Sequence, residues 1–381
     1  MGLGFRYRPV GGRAKFLLGV AALTAALNGT ALMAQDGLPV VDGGVPTLHV
    51  YTNLVQVPTL VLTTTHDPVG KPIAESRFSV SIDSGRWFRA THVRQEGDDP
   101  ISLSILLDVS GDSAVLMPKM GDALGKLAPL LLHPRDRVSI YALDCSLRRS
   151  LDDAPVDSVS LKRGMEALLE ASKLSNGNKR EKVCDLRGRL WDSFARVAVS
   201  LSELPGRRVI LVVTNGHDTG SKNSWNEVRY FAQAKGIAVF ALNFAPASLP
   251  TSLGNYGPGR GAYLPSGGGS PAVESPLISL CELSGGIVMG MSDTAALSKS
   301  LEKFVTMVRE RYIVEFPRPA NSTAGEHDME VKIDKGIYTI RPSGVSMPLP
   351  DPALMSDPST IQAGPSQTPE EGTRKVMKQP K

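Results

Sequence analysis

The chain lacks the features that mark several common enzyme and nucleic-acid-binding classes. Only 3 cysteines occur in 381 residues, and no Cys/His cluster has metal-site spacing. The motif Gly-x-Ser-x-Gly is absent, which excludes the nucleophile elbow of α/β hydrolases. The net charge of +4 is small for this length, and the basic residues are scattered without interleaved aromatics. No nucleic-acid partner is therefore expected.

Long apolar runs are also missing, except near the N-terminus. Basic residues precede an apolar stretch from Phe16 to Leu27, and small residues follow up to Ala34. This pattern predicts a secretory signal peptide over residues 1–34, and an uncleaved anchor is the alternative. After cleavage we expect no integral membrane protein, but an exported one that is periplasmic, associated with the cell envelope or secreted.

The three cysteines leave two arrangements open. Export permits a disulfide, and Cys145 and Cys184 pair if their loops meet, which leaves Cys281 buried and free. The alternative is three unpaired buried thiols, because an odd count does not complete a framework.

The predicted secondary structure divides the chain after its first residues into four successive parts. Residues 45–99 and 310–345 contain short β-rich segments bounded by turn residues, and residues 100–309 alternate strand-like with helix-like segments. Neither β-rich part has enough strands to stand alone. We therefore predict one small β-sandwich module, built from both parts, into which an α/β domain is inserted. Residues 346–381 are proline-rich and predict a disordered tail.

Within the α/β part, two apolar runs predict buried strands, at 101–108 and 208–214. A short third strand is predicted at 147–150, followed by a helix over 156–171 with Asp157 as its N-cap. Asp192 is expected to be a charge in the first turn of a helix.

Oxygen-bearing side chains follow the first of these strands at every second position. The strand ends on Asp108, and Ser110 and Asp112 come next. In an open α/β sheet, ligands bind at the carboxyl ends of the strands, and such oxygens are ligands for a hard cation. The alternative is that Asp108 only caps the following helix.

Three stretches together resemble a von Willebrand factor type A domain: Ile105–Ser113, Arg189–Phe194 and Val209–Ser221. Residues 45–345 as a whole are similar to exported von Willebrand A-related proteins typical of Acidobacteria. The resemblance implies a doubly wound, mainly parallel, Rossmann-like sheet. It also implies a metal-ion-dependent adhesion site that holds Mg²⁺ or Mn²⁺.

This sequence departs from the family pattern of that site. Asp108 and Ser110 match, but Asp112 stands where the family has Ser, and Asn215 stands where it has Asp. The second-loop Thr falls on Gly188, between Arg187 and Arg189. Asp108, Ser110, Asp112 and Asn215 are thus candidate ligands of a degenerate site. The competing hypothesis is that Arg187 or Arg189 pairs with Asp108 or Asp112 and replaces the ion.

The resemblance implies a binding function rather than catalysis. We expect the strand-end face to bind a protein or peptide, and its residues are Arg187, Gly188, Arg189, His217 and Asp218. No enzyme activity is expected. The alternatives are a metal-free structural scaffold of the cell envelope and a hydrolase.

Overall fold

The computed structural model describes residues 54–109, 115–144, 146–177, 189–218, 220–244, 275–291, 293–319, 325–343, 345–347 and 369–372. The strands within these ranges are β1 (Leu54–Leu62), β2 (Phe78–Ile82), β3 (Phe88–Arg89), β4 (His92–Gln95), β5 (Ile101–Asp108), β6 (Arg137–Leu143), β7 (Leu147–Pro155), β8 (Arg207–Val213), β9 (Ile237–Phe244), β10 (Val288–Met291), β11 (Tyr312–Pro317), β12 (Gly325–His327), β13 (Met329–Ile333), β14 (Thr339–Pro342) and β15 (Val345–Met347). The α-helices are α1 (Met117–Leu131), α2 (Ser158–Gly177), α3 (Leu190–Ser202), α4 (Trp225–Ala234), α5 (Pro276–Leu283) and α6 (Leu297–Arg309). None of the described helices is both long and apolar enough to cross a bilayer.

The central sheet has six strands in the order β10-β9-β8-β5-β6-β7. All neighbouring pairs are parallel except β6 and β7. Counted from β5, the order is that of a doubly wound sheet, with the reversal between β5 and β8. Helices α1, α2 and α6 pack on one face, and α3, α4 and α5 pack on the other. This confirms the predicted Rossmann-like α/β sheet, which is consistent with a von Willebrand A-type fold.

The inner strands are rich in apolar residues and are buried on both faces, although Ser102 and Ser104 share one face of β5 with Leu106. Every residue of β5 and of β9 is buried, as expected for parallel strands covered by helices on both sides. Phe240 of β9 packs edge to face against Phe304 of α6, with ring centroids 5.2 Å apart. The apolar runs in the sequence therefore identified the centre of the sheet correctly.

Strand β7 is longer than the predicted strand over residues 147–150. It continues to Pro155 and runs antiparallel to β6 at the edge of the sheet, with a register irregularity near Ile140. Its charged side chains, among them Arg149 and Asp152, are typical of an edge strand that must not pair with another chain. They also interrupt the apolar pattern by which a strand is recognised in sequence. The next helix accordingly begins at Ser158, and Asp157 accepts a hydrogen bond from the Ser160 amide, as an N-cap does.

Strands from both flanks of the α/β part pair with one another. One antiparallel sheet has the order β14-β1-β11-β4, and another has the order β13-β2-β3. Both sheets contribute to a single hydrophobic cluster that includes Val57, Phe78, Val314 and Phe316. That these sheets form a β-sandwich with the domain boundaries given above stays a prediction. A two-stranded sheet of β12 and β15 is also present.

The tail predicted to be disordered contains four described residues. Residues 369–372 lie beside β2, where the Gly372 amide donates a hydrogen bond to the carbonyl of Ile82 at 3.0 Å. The disorder of the tail as a whole stays a prediction. Composition indicated no folded core in the tail, and it carried no information about the contact of residues 369–372 with β2.

A buried network of charged side chains joins the flanking strands to the central sheet. Glu96 accepts hydrogen bonds from Arg207, at the start of β8, and from Arg311, just before β11. Arg309, at the end of α6, pairs with Asp136 nearby. These five side chains lie where the chain enters and leaves the α/β part.

Candidate functional site

Three polar side chains lie in one row at the carboxyl end of the central sheet. Leu107 of β5 pairs with Val213 of β8, so the next row contains Asp108 and Thr214, and Asn243 of β9 continues it. Side chains alternate along a strand, which places all three on the face covered by α3, α4 and α5. We call Asp108, Thr214 and Asn243 the strand-end row, and all three are buried.

The row is centred on a hydrogen bond between Thr214 and Asp108. The Thr214 hydroxyl donates to Asp108 Oδ2 at 2.8 Å and accepts from the Gly216 amide at 3.1 Å. Both partners are buried, so the bond holds the carboxylate in one orientation. It also joins β5 to β8 at the point where the strand order reverses, which is where doubly wound sheets bind their ligands.

Asn243 is a member of the row that sequence reasoning missed. It is buried, and its Oδ1 has no hydrogen-bond partner among the described residues. The signal was the same as for Asp108, namely a polar residue near the end of an apolar strand. A buried amide oxygen without a partner is uncommon and calls for an explanation.

The loop after β8 brings Asn215 and His217 to the same edge. Asn215 Oδ1 accepts a hydrogen bond from the His217 amide at 3.0 Å, which is an Asx turn. Gly216 between them has φ +80°, a conformation that glycine adopts without strain. The turn leaves the His217 side chain exposed at the rim.

Asp218 caps α3 from this loop. Its Oδ1 accepts from the backbone amide of Leu190 at 2.7 Å, from that of Trp191 at 3.3 Å and from the Ser221 hydroxyl at 2.5 Å. The carboxylate thus satisfies amides that a helix N-terminus leaves without intrahelical partners. The sequence predicted a binding-face role for Asp218 and did not predict this cap.

Asp192 holds the other side of the same loop, in the first turn of α3, as predicted. Desolvation alone would raise its pKa, but hydrogen bonds from the amides of Asn223 and Lys222 and from the Asn223 side chain lower the pKa below its usual value. The nearby positive charge of Arg189 lowers the pKa further. The loop and α3 are therefore joined by two carboxylates.

We expect Asp218→Ala to lower the free energy of unfolding by about 1 kcal/mol, within a range of about 0.5–2 kcal/mol, because it removes the carboxylate that accepts the first two amides of α3 as a cap does. Urea denaturation measures this change. Asp122→Ala, at an exposed position on α1, is the matched control and should change the free energy by less than about 0.5 kcal/mol. An equal effect of both substitutions would rule out the capping role.

Several predicted site residues lie outside the described ranges. These are Ser110, Asp112, Cys145, Cys184, Arg187 and Gly188. Arg189 is described and is exposed, and its pairing with Asp108 or Asp112 stays a hypothesis. Cys281 is buried and free, as both arrangements of the cysteines predicted, and burial raises the pKa of its thiol well above the usual value.

The described donors do not by themselves fit a Mg²⁺ or Mn²⁺ ion. The strand-end row contains one carboxylate, and the Thr214 hydroxyl, a potential ligand, is already bonded to Asp108 and to the Gly216 amide. The Asn215 amide oxygen accepts from His217. Mg²⁺ requires near-ideal octahedral geometry, and the Thr214 hydroxyl and the Asn215 amide oxygen would have to exchange these hydrogen bonds for the ion.

No family model and no curated protein matches the chain. Among solved structures, similar chains are the conserved hypothetical protein BatB from Bacteroides thetaiotaomicron (17% identity, TM-score 0.35, 54% of this chain and 98% of that one), proximal thread matrix protein 1 from the mussel byssus with a zinc-occupied MIDAS motif (13%, 0.37, 56% and 49%) and the human COPII-coat protein Sec24c (10%, 0.38, 66% and 44%). At these identities and TM-scores, the likenesses are not informative about ligand or activity.

Proposed function

We propose that this chain is an exported, non-enzymatic binding protein that uses the strand-end face of a von Willebrand A-like domain to recognise a protein or peptide. The observation that carries the proposal is the Asp108–Thr214 pair at the strand reversal, where it joins β5 to β8. The protein would be located in the periplasm, in the cell envelope or outside the cell.

The strand-end face combines buried strand ends with exposed loop residues, as a recognition surface does. The exposed side chains are those of Arg189, before α3, and His217, after β8. The two carboxylates of Asp192 and Asp218 fix the loop between β8 and α4 to the start of α3. Sites supported by regular elements in this way are held more accurately than sites on free loops.

The pair of Thr214 and Asp108 has the form of a nucleophile beside a base, but it does not favour catalysis. Thr214 has no exposed surface at all, and Asp108 is 3% exposed. A nucleophile must come within bonding distance of its substrate, and these groups lie beneath the surface. We therefore assign the pair a structural role under the binding face.

We further propose that recognition does not depend on a resident ion. The adhesion site is degenerate in sequence, and the described donors bond to one another as set out above. A charged residue of the face, such as Arg189, would then contact the partner directly. Arg is well suited to bind a carboxylate through two parallel hydrogen bonds.

A capture experiment tests the face. The full-length chain is immobilised and exposed to envelope extract from its own organism, and bound proteins are quantified by mass spectrometry. Arg189→Ala combined with His217→Ala should reduce the capture of a specific partner by about 10-fold or more, equivalent to about 1.4 kcal/mol. The matched control is Arg163→Ala with His92→Ala, which removes the same residue types from exposed positions on α2 and β4. Equal capture by both double variants would refute the proposal.

A further inference from the structure

Three side chains from distant parts of the chain meet beside β2. Asp83 follows β2, His327 ends β12, and Glu371 belongs to the short tail segment 369–372. His327 Nδ1 shares a hydrogen bond with Asp83 Oδ2 at 2.7 Å, which a bound metal ion would replace, and it lies 3.9 Å from Glu371 Oε1. One ligand atom from each residue therefore lies within 4.8 Å of the other two. We call Asp83, His327 and Glu371 the tail cluster.

The tail backbone lies in direct contact with the end of β2 beside the tail cluster. The Gly372 amide donates to the carbonyl of Ile82, and a Cβ on Gly372 would overlap the carbonyl oxygen of Asp83. Only glycine lets the tail lie this near to the end of β2. The Asp328 amide donates to Asp83 Oδ1 at 2.8 Å, which orients the Asp83 carboxylate toward His327.

One oxygen of the tail cluster has no hydrogen bond. Glu371 Oε1 is buried and has no hydrogen-bond partner among the described residues. Desolvation raises the pKa of Glu371 and the charge of Asp83 raises it further, while His327 and Arg318 act in the opposite direction. A buried carboxylate oxygen without a donor is costly, and a bound cation would compensate that cost.

We propose that Asp83, His327 and Glu371 bind a divalent transition metal of the Zn²⁺ type, and that the metal fastens the C-terminal tail to β2. One imidazole nitrogen and two carboxylate oxygens are ligands that Zn²⁺ accepts at about 2.0–2.2 Å. With neutral His327, the two carboxylates and the nearby Arg318 give the site a net negative charge.

The hydrogen bond to the outer oxygen of Asp83 is of a kind found at metal sites. Ligating carboxylates are usually hydrogen-bonded by an outer partner, and the Asp328 amide fills this role for Asp83. Metal binding would hold residues 369–372 against β2, and the site is independent of the strand-end row and of the proposed function.

Titration of the full-length chain with Zn²⁺, in competition with a chromophoric chelator, tests the proposal. We expect one equivalent to bind, and Glu371→Gln to weaken that binding by about 10-fold or more. Glu370→Gln removes the same charge from the exposed neighbouring residue and should leave the affinity unchanged. Because Glu371 lies in the tail, its substitution does not endanger the fold of the sheets.

A second measurement follows the tail itself. Zn²⁺ should slow proteolytic cleavage between residues 348 and 381 in the wild type and in Glu370→Gln, but not in Glu371→Gln. Absence of stoichiometric Zn²⁺ binding would overturn the proposal. So would a bound equivalent that Glu371→Gln leaves at the same affinity, or protection of the tail by Zn²⁺ in that variant.

Discussion

Replacement of Glu96 by alanine is expected to lower the free energy of unfolding by about 3–5 kcal/mol, because it leaves buried positive charges without their counter-ion. The Glu96 side chain is fully buried and accepts from Arg207 Nη1 and from Arg311 Nη2, each at 2.6 Å. The Arg311 side chain is 3% exposed and that of Arg207 is 10% exposed. Neither guanidinium can turn to bulk water without opening the junction.

The measurement is denaturant unfolding of wild type and variant. Glu315→Ala is a matched control, because the Glu315 side chain bonds only with Gln56 among the described residues, at the surface of the β1–β11 pair. It should change the free energy by less than about 0.5 kcal/mol. If Glu96→Ala also stays within about 1 kcal/mol of wild type, the network does not hold the flanking strands to the central sheet.

The second large effect is expected at the strand-end row. Thr214→Val keeps the shape of the side chain but removes the donor to Asp108, and we expect a cost of about 1–3 kcal/mol for the buried group that loses its partner. Thr306→Val is the control: the Thr306 hydroxyl bonds to the Glu302 carbonyl at the surface of α6, and its loss should cost less than about 0.5 kcal/mol.

A double-mutant cycle isolates the pair. Thr214→Val and Asp108→Ala should together cost less than the sum of the single substitutions, with an interaction energy of about 0.5–3 kcal/mol. Simple additivity would show that the two side chains do not act on each other and would remove the pair from the account of the site.

The centre of the fold could be predicted because its signals are local. The strands β5 and β8 are apolar runs, and Asp108 marks the end of one of them, so the sequence predicts both the sheet and its ligand-binding edge. The end of strand β7 could not be predicted in the same way. It is a charged edge strand, and its extent follows from pairing with β6 rather than from its own pattern.

The candidate site was only partly predictable, because its decisive contacts join distant residues. Nothing near Asp218 in sequence indicates that it caps α3, since the helix begins 28 positions earlier. Asn243 directly follows the apolar run Ile237–Leu242, so the reasoning that selected Asp108 could also have selected it. The tail cluster was not predictable, because its members come from two strand ends and a proline-rich tail.

We expect the strand-end face to bind its protein partner without a resident ion. Capture of the partner by the full-length chain is measured in EDTA and again after addition of Mg²⁺ or Mn²⁺. We predict equal capture under all three conditions, together with the loss caused by the Arg189→Ala and His217→Ala pair. Capture that disappears in EDTA and returns with Mg²⁺ or Mn²⁺ would show that a resident ion is required.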